Sequence, residues 1–200
     1  MSSASPRAEH QMGRPTTADA LIIVDVQAGF VSGPNAVPDH KNLLSMVEVL
    51  LTCARTSKAK VVFLQNDGAA GALDEPFKPG WSLYFSAQPS EVVMRKKKDD
   101  GFQGTGLDQL LRLAGVQTVA ICGLSSEMCV AATARAAIEH GYNVLLPHDA
   151  HTTYDVPAGP GSQGVPAALA ARVAEWSLGD EVTIYASARE VQFTGGFELS

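Results

Sequence analysis

TVAICGLSSEMCVAATARAAIEHG, residues 118–141, reads as an apolar strand, a short polar turn and a helix. Its first seven residues are almost unbroken in apolar side chains. That suits a strand covered on both faces, not the alternation of a half-solvated one. Two more runs share this character, ALIIVDV from Ala20 and KVVFLQN from Lys60. Others begin at Glu91 (EVVMRK), Asn143 (NVLLPHD) and Glu181 (EVTIYAS). Between them lie helical patterns over Asp39 to Ser57, Gly106 to Ala114, Cys129 to His140 and Val165 to Leu178. In the second, Leu107, Leu110, Leu111 and Ala114 recur at three and four residues and form one apolar stripe. Gly115 and Gly141 stand just past two helices, where a left-handed residue ends the spiral. Strand–helix alternation of this kind predicts an α/β fold, a three-layer sandwich with a parallel sheet between helices.

Composition narrows the function. The chain has 200 residues, 46% of them apolar and 18% charged, which suits one soluble domain. The net charge is −6, and the one basic cluster, Arg95-Lys96-Lys97-Lys98, is followed at once by Asp99-Asp100. Nucleic acid and anionic membrane are therefore poor partners, and most of that run reads as a solvated strand end. Three cysteines, an odd number without Cys-x-x-Cys spacing, give neither a disulfide framework nor a structural zinc site. Residues 1–18 are polar and rich in Ser and Pro, with no signal-peptide core, and read as a mobile tail before a domain over 19–200. No apolar run approaches the ~20 residues of a membrane span. A reduced, cytoplasmic setting is expected, where a free thiol persists.

In open α/β sheets the site lies beyond the carboxyl ends of the strands. That directs attention to Asp25, Asn66 and Asp67, Lys96, the turn from Gly123 to Cys129, and His148 to His151. Asp25, ending the first strand, suits either a turn cap or a proton carrier. Cys129 opens a helix, where the macrodipole and unpaired amides favour a thiolate. Cys122, in mid-strand, and Cys53, on a helix, read as small packed hydrophobes. A nucleophilic thiol needs a proton partner and a cradle for the oxyanion. Asp25 and a lysine of the basic run supply the first, and amides of the turn the second. Position alone does not choose among Lys96, Lys97 and Lys98.

Three segments, ALIIVDVQAGF, RKKKDDGFQGTGLDQLL and VAICGLSSEMCVAATARAAIEHGYNVLLPHDAHTTYD, resemble the isochorismatase-like cysteine hydrolases in order and spacing. The resemblance spans most of residues 20–155. It implies a six-stranded parallel sheet and an Asp–Lys–Cys triad, mapped onto Asp25 (with Gln27 completing its D-x-Q motif), Lys96 and Cys129. The family lysine lies six residues before the Phe matching Phe102, which selects Lys96. The resemblance also implies a cis peptide at Leu124–Ser125 and an oxyanion hole from the amides of Ser125 and Cys129. The expected reaction is cleavage of a C–N bond in a small amide, lactam or ureido substrate through a thioester on Cys129. A streptothricin-like lactam and carbamoyl or biuret-type amides are all compatible. The rival chemistries are vinyl ether hydrolysis of the isochorismatase type and a metal-dependent, nicotinamidase-like amidase.

Nicotinamidases of the family carry an Asp-x-His metal motif after the second strand. Here that region, QNDGAAGALDEPFKPGW, has no histidine. No catalytic metal and no cofactor are therefore expected, and Asp67, Asp74 and Glu75 read as solvated loop acids. His148 and His151, three apart, invite a metal or general-base reading, but are expected instead to line a pocket mouth or a subunit contact, and Asp149 to be structural. GFQGTG, residues 101–106, is neither a dinucleotide fingerprint nor a P-loop and reads as a turn. Ser125 and Ser126 lack the G-x-S-x-G elbow. Phe30, Trp81 and Leu124 are the expected substrate contacts, with Tyr84, Phe85 and Phe102 partly around the same cleft. The apolar VPAALAARVAEW and the terminal GGFELS point to a homo-oligomer.

Overall fold

The structure, a computed structural model, describes residues 16–195. Its strands are β1 (Thr17–Ala18), β2 (Ala20–Val24), β3 (Lys60–Asn66), β4 (Val92–Lys96), β5 (Thr118–Leu124), β6 (Asn143–Pro147), β7 (His151–Thr152), β8 (Val182–Tyr185) and β9 (Gln192–Phe193). Its α-helices are α1 (Ala28–Val31), α2 (His40–Thr56), α3 (Leu107–Leu113), α4 (Ala131–Glu139) and α5 (Ala167–Ser177). The main sheet is parallel, in the order β4-β3-β2-β5-β6-β8. All six expected strands are present. A seventh, β7, pairs with Gly123 and Leu124 at the end of β5, where β6 no longer follows it. Of the expected N-terminal tail, residues 1–15 lie outside the described residues, whereas Thr17 and Ala18 pair with Gln192 and Phe193. Residues 196–200 of the terminal GGFELS also lie outside them.

The apolar pattern explains the layering. Every residue of β2 and β5 is buried, as their unbroken sequences require of central strands, while the edge strand β4 alternates until Lys96. Leu43, Met46, Val47, Leu50, Leu51 and Ala54 of α2 recur every three or four residues and cover one face, against Leu21, Ile23 and Phe63. Leu107 and Leu111 of α3, with Ala131, Ala134 and Ala137 of α4, cover the other, against Ile22, Val24 and Leu64. Gly115 and Gly141 take the expected left-handed conformation, with φ of +68° and +88°. Helix α5 packs on the turn that follows β5 and on β7, and it leaves Leu169, Val173 and Trp176 exposed. Edge strand β4 is anchored at its start by Arg55, whose Nε lies 2.7 Å from Glu91 Oε1. Among the described residues no helix is long and apolar enough to cross a membrane.

Strands β2 and β5 pair at the point where the chain, having moved out through β3 and β4, crosses to build the other half of the sheet. Such a reversal opens a crevice at the strand ends. Close pairing there depends on Gly123, at φ +123°, where a Cβ would stand 2.0 Å from the Val24 carbonyl oxygen. Gly123→Ala is expected to destabilise the fold by about 3–5 kcal/mol, the range of severe backbone and packing conflicts. Urea unfolding of the variant measures this, and an unchanged midpoint would contradict the close approach.

Candidate active site

Three strand ends converge at this crevice. Asp25, just after β2, has left-handed φ of +53°, uncommon outside glycine, and its amide donates to Leu64 O at 3.0 Å. Lys96 ends β4 opposite Asn66 of β3. It lies two residues beyond Met94, so strand alternation turns it to the same face, the layer packed by α3 and α4. There its fully buried Nζ lies 2.7 Å from Asp25 Oδ2 and 3.3 Å from Cys129 Sγ. Nζ also donates to Lys98 O at 3.1 Å. Lys97 and Lys98 are exposed, and Arg95 is held by Asp67 at 2.7 Å. Of the four basic residues, Lys96 is the one brought to the thiol and the aspartate.

The structure corrects the placement of Cys129. It does not open a regular helix but sits fourth in a wider π turn, Ser126–Val130, that runs into α4. The Leu124–Ser125 peptide before that turn is cis. Ser125 O accepts from the amides of Met128 and Val130, both at 3.1 Å. Besides Lys96, the thiol meets Asp99, to which it donates at 3.6 Å. Asp99 was hidden in the sequence because it reads as a counter-charge to the lysines.

The proton inventory follows from burial. Burial pushes the Asp25 carboxyl up to about 6, although the adjacent Lys96 ammonium pulls it down. Burial opposes the Lys96 charge, yet Asp25 and Cys129 outweigh it and leave the ammonium above its ordinary value. Burial and the Asp25 charge push the Cys129 thiol up, with Lys96 opposing. The resting site near neutral pH is thus a carboxylate, an ammonium and a thiol, not the free thiolate that a helix start suggested. One carboxylate oxygen, Asp25 Oδ1, is buried without a hydrogen-bond partner.

A polar clamp holds these strand ends. Gln27 Nε2 donates to the carbonyls of Asn66 and Trp81, and its Oε1 accepts from the Asn66 amide. Asn66 Nδ2 in turn donates to buried Asp74 at 2.6 Å. Asp67 accepts from Trp81 Nε1 and Arg95, and Glu75 from the Gly71 amide. The three loop acids are therefore engaged separately. Among the described residues, the side chains grouped so as to hold a metal are His148, His151 and Glu175. Asp149 is structural as expected, accepting from the Ala188 amide at 2.7 Å.

The expected aromatic lining is only partly as anticipated. Leu124 is 1% exposed within the core, so its apolar side chain is spent on packing. Phe30 is partly buried against that same core. Trp81 is half-buried, with the Arg95 guanidinium over its ring and Phe77 beside it. Phe102 is buried in the other core layer, the one packed by α3 and α4, where it stacks on His140.

A family model for the isochorismatase domain matches residues 19–163. The chain is similar to two streptothricin hydrolases from Streptomyces noursei. One is 56% identical over 177 residues, covering 87% of this chain and 64% of that protein; the other is 54% identical over 190 residues, covering 91% and 75%. The chain thus spans just under two thirds of the first relative. An isochorismatase from Pseudomonas putida KT2440 has a similar solved structure, with TM-score 0.83 and 25% identity, covering 92% of this chain and 96% of that one.

Removing one charge of the Asp25–Lys96 pair leaves the other buried and uncompensated. Lys96→Met is therefore expected to cost about 3–5 kcal/mol, and the double variant Asp25→Asn/Lys96→Met to cost less than Lys96→Met alone. Urea unfolding of both proteins checks the order.

Proposed function

The chain belongs to the isochorismatase family, and we propose that it hydrolyses a C–N bond of a small lactam or related amide, with Cys129 as nucleophile. The observation that carries this reading is one buried ammonium, Lys96 Nζ, within 2.7 Å of Asp25 Oδ2 and 3.3 Å of Cys129 Sγ. Similarity to the two streptothricin hydrolases supports a streptothricin-like lactam ahead of carbamoyl or ureido amides.

The chemistry starts from the neutral thiol. As Sγ attacks the carbonyl carbon, its proton passes to Asp25, and Lys96 offsets the negative charge left in the pocket. The amides of Ser125 and Cys129 receive the carbonyl oxygen as it becomes an oxyanion. Collapse of the tetrahedral adduct breaks the C–N bond, and Asp25 gives its proton to the departing nitrogen. The acyl group is then a thioester on Cys129. Asp25, again a carboxylate, takes a proton from water, whose oxygen attacks the thioester and releases the acid. The proton returns to sulfur. With a lactam, both product groups stay on one molecule, so the product is the substrate plus one water.

Mass spectrometry of a substrate panel (streptothricin, a carbamoyl amide and a ureido acid) with the full chain tests this reading. One added water on the lactam and an acyl adduct on Cys129 are expected. Cys129→Ala should keep its fold and lose at least about a thousand-fold in kcat/KM, on the scale seen when a catalytic nucleophile is removed. A Cys129→Ala protein that still turns over would overturn the mechanism.

The pH profile has a defined sign. Asp25 must be ionised to accept the thiol proton, and burial lifts its carboxyl to about 6. Activity should thus rise with pH through about 6 and fall below it. The apparent midpoint belongs to the coupled Asp25–Lys96–Cys129 cluster. A kcat/KM profile flat from pH 5 to 7 would contradict Asp25 as the base.

A further inference from the structure

A second polar cluster lies behind the turn that carries the thiol. Glu175, on α5, has a side chain only 2% exposed. Its Oε1 lies 2.5 Å from His148 Nδ1 and 3.1 Å from His151 Nε2. The other ring nitrogen of His151, Nδ1, meets Ser126 Oγ at 2.8 Å, inside the π turn. Glu175 Oε2 is taken by half-exposed Arg172 at 3.3 Å, leaving Oε1 for the imidazoles. Core packing does not explain these residues: a glutamate sits beside the buried alanine stripe of α5, and two histidines three apart converge on it.

We propose that His148, His151 and Glu175 form a binding site for a divalent transition-metal ion of the zinc type, separate from the Asp25–Lys96–Cys129 centre. Two imidazole nitrogens and one carboxylate oxygen are a recurring zinc donor set, with a fourth position left to water or another ligand. The three donor atoms lie within 4.8 Å of one another. Tetrahedral zinc with bonds of about 2.0–2.1 Å needs its donors about 3.3 Å apart, so side-chain shifts of about an ångström open the site.

The surroundings suit a cation. A cavity of about 510 Å³ opens beside His148 and His151 and is rimmed by Asp39, Asp149 and Asp155, giving it room for a fourth ligand and a negative field. With Nε2 of His151 on the ion, Nδ1 carries the proton and donates to Ser126 Oγ, the outer partner that metal-binding histidines usually have. The ion would thereby tie α5 and the segment around β7 to the turn that precedes Cys129.

The test uses tag-free, full-length Cys129→Ala protein, so that the active-site thiol does not bind the probe. After chelator treatment and dialysis it is titrated calorimetrically with zinc sulfate and, in parallel, with cobalt(II). One saturable zinc per chain is expected, with the intense visible bands of tetrahedral cobalt. Adding His148→Ala, at a half-exposed position that leaves the core intact, or Glu175→Gln should weaken zinc binding more than about 100-fold, beyond the loss from an outer-shell partner. His140→Ala, remote from the cluster, should change nothing. No saturable zinc binding, or a one-to-one site that survives both ligand substitutions, would overturn the proposal.

Discussion

An ammonium group with 0% side-chain exposure stands at the centre of this fold. Lys96 Nζ is shielded from bulk solvent, so its charge persists because the Asp25 carboxylate, the Asn66 and Lys98 oxygens and the Cys129 sulfur surround it. The aspartate, the lysine and the thiol come from different strands. Asp25 follows β2, Lys96 ends β4 and Cys129 follows β5, so strand order and register must both be right for the charge to be compensated. The close approach of Gly123 to Val24 and the Gln27–Asn66 clamp serve that same requirement by holding the strand ends level.

In the proposed reaction the arrangement also keeps proton movement cheap. At rest a carboxylate faces an ammonium beside a neutral thiol. Passing the thiol proton to Asp25 gives a carboxylic acid, an ammonium and a thiolate, again with no net charge. A dry pocket penalises net charge far more than its internal redistribution. Asp25 Oδ1, buried without a hydrogen-bond partner, is open to that proton.

What the sequence discloses follows from how far each signal reaches. Unbroken apolar runs mark β2, β3 and β5 as central strands because burial on both faces is a local compositional demand. Lys96 is different: its neighbours carry the same charge, and only strand alternation against Leu64 and Met94 turns it inward. Apolar residues were the least informative about the site. Leu124 and Phe102 satisfy packing, and nothing in a single chain separates a core aromatic from a substrate contact. Asp99 and Glu175 were missed for the opposite reason: one reads as a counter-charge to the lysines beside it, the other as solvated surface. The visible sign of the second polar cluster was the pair His148 and His151, three residues apart at a strand end; their partner Glu175 was not legible.

The lysine that the thiol meets hangs from an edge strand with a neighbour on one side only. Such a strand is free to slide, and here sliding is unusually dangerous. In Arg95-Lys96-Lys97-Lys98 a slip of two residues would still point a lysine inward, so charge alone does not correct the error. What forbids it is a pin at each end: Arg55 on Glu91 before the strand, and Asp67 on Arg95 one residue from its end. Neither pair touches Asp25, Lys96 or Cys129. Each joins a partly exposed guanidinium to a buried carboxylate, which a slipped strand would leave without its partner, so both pairs favour the register that brings Lys96 to the thiol.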